Sequence, residues 1–173
     1  ALFVPPHHER VPAAMRDLVV FMRRDDIPAL VQATVAHAQF ETIHPFPDGN
    51  GRTGRAIIHS LLRAKRLTRT VTVPVSAGLL ADTKAYFDSL TSYREGDPAA
   101  IVELIAESSF RAVVNGRTLA SDLGAARRDW NDRITVRRGA AAHRLADLLV
   151  RQPVVDSPLV QRELGVAATN ANT

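Results

Sequence analysis

The sequence predicts an all-α fold, on three observations. Apolar residues recur every three or four positions along most of the chain, and clusters of Pro, Gly and Asp cut it at helix-length intervals. The one β-branched stretch, residues 68–75 (TRTVTVPV), is short and has no evident partner strand. The chain has 173 residues, 46% hydrophobic and 23% charged, enough for one domain or one domain with a small appendage. No apolar run reaches the roughly 18 to 20 residues of a membrane span. The absence of cysteine excludes disulfide scaffolds, thiolate zinc sites and cysteine nucleophiles together. Without a signal peptide, a cytoplasmic protein is the default expectation.

Residues 1–9 (ALFVPPHHE) read as extended, because Pro5 and Pro6 lack amide donors and bias their neighbours away from helix. Val11, Met15, Leu18, Val19 and Met22 then mark a helix over 11–24, with Pro12 suited to its first turn. A second helix starts near Pro28 and runs through Leu30, Val31, Val35 and Ala38 to about His44, where Pro45 and Pro47 stop it. A third begins after Asp48-Gly49-Asn50-Gly51, with Ile57, Ile58, Leu61 and Leu62 as its buried stripe. Tyr86, Phe87, Leu90 and Tyr93 mark a fourth. Asp97-Pro98 is an N-cap and first-turn pair opening a long helix past Leu123 and Trp130.

From Ala140 the units become short. Residues 141–151 read as a helix, Ser157-Pro158 as the cap of another (LVQREL), and Gly165-Val166 as a turn into a further helix start. This succession resembles the opening of a winged helix-turn-helix domain. The expected organisation is a first domain over 1–138 and the beginning of a winged helix-turn-helix domain over 139–173. With no initial methionine, the chain reads as a piece of something longer.

Residues 37–55 (HAQFETIHPFPDGNGRTGR) carry the chemistry. Gly49, Gly51 and Gly54 satisfy G-x-G-x-x-G, but that dinucleotide fingerprint needs a preceding strand, and a helix and two prolines precede it here. A Walker A loop lacks its Gly-Lys-Ser/Thr ending. His37 and His44 are seven apart, whereas a zincin needs four. What remains is an anion site. Gly49 and Gly51 permit a tight turn, and free amides at the start of the third helix, aided by its dipole, favour negative charge. Arg52 and Arg55, three apart, form one cationic edge, and Asn50 offers an amide donor. A lone Asp48 there suits Mg²⁺ bridging two phosphates. His44, as neutral imidazole, is placed to take a proton from a hydroxyl. Together these parts suggest transfer of a phosphate-containing group from a Mg-nucleotide to a hydroxyl acceptor. Any one of them alone is as well explained by a glycine-rich turn with paired arginines and a capping histidine.

HPFPDGNGRTGR resembles the Fic-family signature, H-P-F-x-[DE]-G-N-G-R-x-x-R, at every defined position, and FVPPHHERVPAAM, HAQFETIHPF and YREGD resemble the segments around it. The likeness covers roughly residues 1–115. It implies a Fic-type helical bundle that transfers AMP from ATP to a Ser, Thr or Tyr hydroxyl of a target protein. His44 would then be the base and Asp48 the Mg²⁺ ligand. Gly49, Asn50 and Gly51 would form the anion nest, Arg52 and Arg55 would hold the phosphates with Arg55 on the γ-phosphate, and Phe46 would pin the loop into the core. Tyr86 falls where the family often has an aromatic near the nucleotide base, against the plainer reading of a core residue. The family's target-docking flap is a β-hairpin just ahead of FVPP, of which only a remnant is expected here.

Glu41 and His37 lie on the helical face of His44, where Glu41 could orient a histidine; the plainer reading is buried polar groups completing helix contacts. His59 reads as structural. Arg127, Arg128, Arg137 and Arg138, interspersed with acids, read as a solvated helix face. Thr91–Gly96 (TSYREG) fits the family's inhibitory pattern [ST]-x-x-x-E-[GN], but overlaps an ordinary core segment, so the inhibitory segment is expected ahead of Ala1. The intact G-N-G-R argues against the sister toxins that phosphorylate their targets. A close variant would use another nucleotide or remove AMP.

The alternative from another class is a DNA-binding regulator using the helical core as a sensor or dimerisation module. The net charge of +4, nearly all arginine, and the helix-turn-helix start favour it. The plainer reading of the arginine excess is a GC-rich genome, with acids interspersed throughout. The expected partners are ATP, a hydroxyl-bearing protein, DNA through the C-terminal part, and a second copy in a homodimer, with no membrane.

Overall fold

A helix with no solvated stripe has to be surrounded, and residues 29–43 have that character. In the computed structural model, which describes residues 3–69, 75 and 82–167, they form the centre of the N-terminal part. A short 3-10 turn (His8–Arg10) leads into α1 (Val11–Met22), followed by the central α2 (Ala29–Ile43) and by α3 (Asn50–Ala64). After these come α4 (Thr83–Arg94), α5 (Ala99–Arg133), α6 (Ala141–Arg151) and α7 (Ser157–Leu164). α2 packs most extensively on α3, and also on α1 and α4.

The core is built partly where the spacing predicted it: Val19 and Phe87 of the expected stripes are exposed and Leu30, Val31, Val35 and Ile57 are half-buried. Leu18 of α1, Phe40 and Ile43 of α2, Ile58, Leu61 and Leu62 of α3, Leu90 of α4 and Ile101 and Ile105 of α5 are all buried. Ala33, Ala36 and Ala38 keep α2 slim enough for neighbours on several sides. Its buried polar groups are mostly bonded, as burial requires. Gln32 Nε2 donates to the carbonyls of Phe21 and Arg24, fixing the α1–α2 turn, and Thr34 donates back to Leu30. Tyr93 of α4 donates to Gln39.

The chain divides into two compact units, Ala1–Asn115 and Gly116–Thr173, with α5 contributing to both. In the second unit, Arg127 pairs with Asp147 at 2.7 Å, and Ala146, Leu148, Val160 and Leu164 are buried. Arg127 is therefore a half-buried tie to α6 and not part of a solvated face, because a carboxylate lies within its reach. Arg137 and Arg138 follow the end of α5 and so belong to no helix face. α7 is capped by Asp156, whose carboxylate accepts from the Leu159 amide at 2.9 Å, one residue earlier than the expected Ser157 cap. Gly165 closes it in the left-handed region, where glycine costs least.

The all-α expectation holds. No strand forms among the described residues, so the hairpin remnant is not found in them. Residues 3–7 are irregular, and Pro5 and Pro6 have no amide to give a ladder. Residues 70–74 of the β-branched stretch 68–75 lie outside the described residues. No described helix is long and apolar enough to cross a membrane.

Candidate active site

The turn between α2 and α3 is held by local chemistry. His44 caps α2 in the left-handed region (φ 50°, ψ 57°), its amide donating to the Phe40 carbonyl at 2.9 Å. A non-glycine residue there is strained by about 1–2 kcal/mol and needs surrounding structure to hold it. That structure comes from Asn50. Its Oδ1 accepts from the Phe46 amide at 3.0 Å and its Nδ2 donates to the Phe46 carbonyl at 2.6 Å. Gly49 takes φ 85°, and α3 starts directly after it. The expectation that Phe46 pins the loop into the core is corrected. Its ring is 46% exposed and only edges toward Phe40, whereas Asn50 is buried and clamps the Phe46 backbone. The Asn50 side chain is thus tied to the loop through Oδ1 and one of its two Nδ2 protons, and its backbone amide lies at the start of α3.

The first intrahelical bond of α3 runs from Thr53 to the Gly49 carbonyl at 3.0 Å. The amides of Asn50, Gly51 and Arg52 thus open the helix without helical acceptors, next to its positive dipole end. Asp48 lies in solvent above them. One of its oxygens accepts from the Gly49 amide at 2.6 Å and the other from Arg52 at 2.9 Å. Arg55 sits one turn further on, and no side-chain hydrogen bond or ion pair holds it among the described residues. Asp48 fits a magnesium ion, since a single exposed carboxylate beside phosphate-binding amides is the usual protein share of such a site, and each oxygen keeps a free lone pair. The exposed trio His7, His8 and Glu9 belongs to the 3-10 turn, outside this constellation.

Beneath the turn lies a buried polar floor. His37 is fully buried, with Nε2 sharing a 2.9 Å hydrogen bond with the Tyr86 hydroxyl. Burial pulls the His37 pKa down to about 4, so it is neutral near pH 7. Burial also raises the Glu41 carboxyl above its usual range, against the pull of His44, Arg55 and Arg94. His37 Nδ1 and Glu41 Oε1 have no hydrogen-bond partner, and both face Gly54. A methyl at Gly54 would come within 2.4 Å of Glu41 Oε1 and 2.9 Å of His37 Nδ1. That is why a mid-helix glycine, otherwise a liability, stands there.

His44 is reached from both ends of the first unit. Phe3 packs edge-on against its ring at 5.9 Å, and Arg94 of α4 stacks on Phe3 at 3.7 Å from the ring centroid. His44 Nδ1 lies 3.4 Å from the Glu41 carbonyl, a long contact that leaves Nε2 for other partners. The structure thus brings His44, Asp48, Gly49, Asn50, Gly51, Arg52 and Arg55 onto one turn. It sets Tyr86 against His37 in the half-buried layer beneath. Glu41 and His37 are the buried polar groups of the plainer reading. Half-burial lowers the pKa of His59, in keeping with a structural residue. Glu95 of the TSYREG stretch is exposed at the end of α4. Phe3 and Arg94 were missed, and no spacing signals a contact across ninety residues. Gly54 did carry a signal, as a glycine inside a helical pattern.

The segment that holds this turn is similar to known proteins. Residues 1–62 match the model of the Fic/DOC family. A probable protein adenylyltransferase of Aquifex aeolicus (strain VF5) is 41% identical over 63 residues, 36% of this chain and 20% of that protein. A protein adenylyltransferase of Caenorhabditis elegans is 28% identical over 127 residues, 69% of this chain and 24% of that protein. One from Caenorhabditis briggsae is 30% identical over 111 residues, 62% and 20% respectively. The chain spans between a fifth and a quarter of the length of these relatives.

Proposed function

Because residues 1–62 match the Fic/DOC family model, we propose that this protein is an adenylyltransferase, moving AMP from ATP to a Ser, Thr or Tyr hydroxyl of a protein target. The observation that carries this reading is the meeting of a strained histidine with the open amide end of α3 on one clamped turn. His44 Nε2 takes the hydroxyl proton, and the freed oxygen attacks the α-phosphorus. The bond from that phosphorus to the α–β bridging oxygen breaks, and pyrophosphate leaves. The amides of Asn50, Gly51 and Arg52 and the guanidiniums of Arg52 and Arg55 receive the charge that builds on the phosphates, and being fixed beforehand they need little reorganisation. Asp48 would hold Mg²⁺, which when bound neutralises phosphate charge. Arg52 then exchanges its Asp48 partner for a phosphate oxygen. Tyr86, through His37, supports the floor under the nucleotide.

We also propose residues 1–138 as the catalytic domain and 139–173 as the start of a winged helix-turn-helix domain. The short helices α6 and α7, the second capped by Asp156, support it. A chain extended past Thr173 should then shift DNA in a salt-dependent way.

The catalytic reading is tested with ATP labelled separately at the α- and γ-phosphates, given with Mg²⁺ and host lysate to wild type and His44→Ala. Protein-bound α-label, absent with His44→Ala, is the expected result. γ-Label alone would replace adenylylation by phosphorylation, and α-label undiminished by His44→Ala would remove the base from its role.

A further inference from the structure

From residue 49 to residue 81 the sequence holds no Asp or Glu but six cations: Arg52, Arg55, Arg63, Lys65, Arg66 and Arg69. Two of them belong to the turn already described. Lys65 is spent on Asp25, at 2.5 Å, and on the Arg24 carbonyl, while Arg24 pairs with Asp26. Arg63, Arg66 and Arg69 remain exposed, and no hydrogen bond or ion pair engages their side chains among the described residues. With Thr68 they line one concavity of about 430 Å³.

The backbone there is costly for its sequence. Arg66 follows the last turn of α3 at φ 61°, in a helix-closing motif in which the Leu67 amide donates to Leu62 and the Arg66 amide to Arg63. Glycine takes that position with least strain, asparagine next. The helix dipole accounts for a cation in the last turn, which is Arg63. Its influence fades by residues 66 and 69, beyond the helix.

We propose that this concavity is a second phosphate site, taking an oligophosphate group. Planar guanidiniums match phosphate oxygens two at a time, and three of them with a hydroxyl suit several linked phosphates better than one carboxylate. A nucleic acid strand would need cations spread along a groove with stacking aromatics, and the lining holds no aromatic. The site is separate from the amide nest. Arg55 and Arg63, both on α3, are eight residues apart, about 12 Å along the helix. The family match also ends at residue 62, before the first of these arginines. The proposal is independent of the adenylylation reading.

The test titrates inorganic triphosphate into the whole chain by calorimetry at fixed ionic strength, in an Arg55→Ala background that weakens the nest. Arg66→Gly is the informative variant, because it removes a guanidinium while relaxing the backbone; circular dichroism should show its helix content unchanged. Binding in the background that falls about tenfold or more with Arg66→Gly, and again with Arg63→Ser/Arg69→Ser, is expected. ATP bound equally well and lost in the same variants would support the site and name a nucleotide tail as its source. No triphosphate binding, or binding indifferent to all three arginines, would overturn it. So would duplex DNA binding that these variants weaken in a protein that ignores triphosphate.

Discussion

The floor and the rim of the turn between α2 and α3 are built on opposite principles. The floor, His37 and Glu41 under Gly54 with Tyr86 alongside, is buried, tightly packed and short of hydrogen-bond partners. The rim, Asp48 and Arg52, is solvated, with side chains 90% and 74% exposed. Buried polar groups held at close quarters are sensitive to any change of volume or charge, whereas exposed ions are nearly free to be replaced. The packing that holds the turn therefore lies beneath it and the proposed phosphate chemistry above it, with His44 at the border.

Substitutions sharpen that division. The largest effect should be on chemistry alone. His44→Ala should lower AMP transfer by about 10³-fold while shifting stability by less than about 1 kcal/mol, read by label transfer and urea unfolding of the same samples. A comparable loss of stability would mean that the border lies elsewhere. Gly54→Ala acts from below. Its methyl meets Glu41 and His37, and urea midpoints should report about 3 kcal/mol of destabilisation. Near-neutral Gly54→Ala would show that the floor gives way easily.

The floor also predicts a pH dependence. His37 titrates near 4 in the folded protein and near 6.5 when unfolded, so between those values the unfolded chain binds more protons. Its contribution is complete above pH 6.5 and is lost as pH falls toward 4, about 3 kcal/mol in all. Glu41, raised by burial, works in the opposite sense, because its folded form gains a proton as pH falls. Arg55 adds to the depression of His37. Comparison with His37→Gln isolates the histidine. Stability curves that stay parallel between pH 4 and 6.5 would contradict the assignment. The smallest effect belongs to the rim: Arg52→Ala should cost under about 0.5 kcal/mol of stability while transfer falls about tenfold.

Much of this was legible beforehand. Helix positions followed from spacing because α1, α3 and α4 each bury one stripe, and the prolines at 45 and 47 with Gly49 marked the turn. The signature residues were legible because they are contiguous. Their division of labour was not. Asn50 and Phe46 differ in solvent exposure, and a contiguous string carries no information about which of its members faces inward. The partnerships of His37 with Tyr86 and of Phe3 with His44 and Arg94 depend on which helices become neighbours, and local periodicity does not encode that. The cap at Asp156 was displaced by one residue because Asp156 and Ser157 are both capping residues and only backbone geometry chooses between them.

The clamp between Asn50 and Phe46 has one more consequence. The Phe46 ring lies half in water, yet its amide is tied to a buried side chain. In deuterated solvent that amide should exchange slowly amid an otherwise fast-exchanging loop, because its release requires Asn50 to leave its seat. A single backbone proton in the middle of the turn thereby becomes a gauge of how often the turn opens, separate from the fraying of the helices on either side.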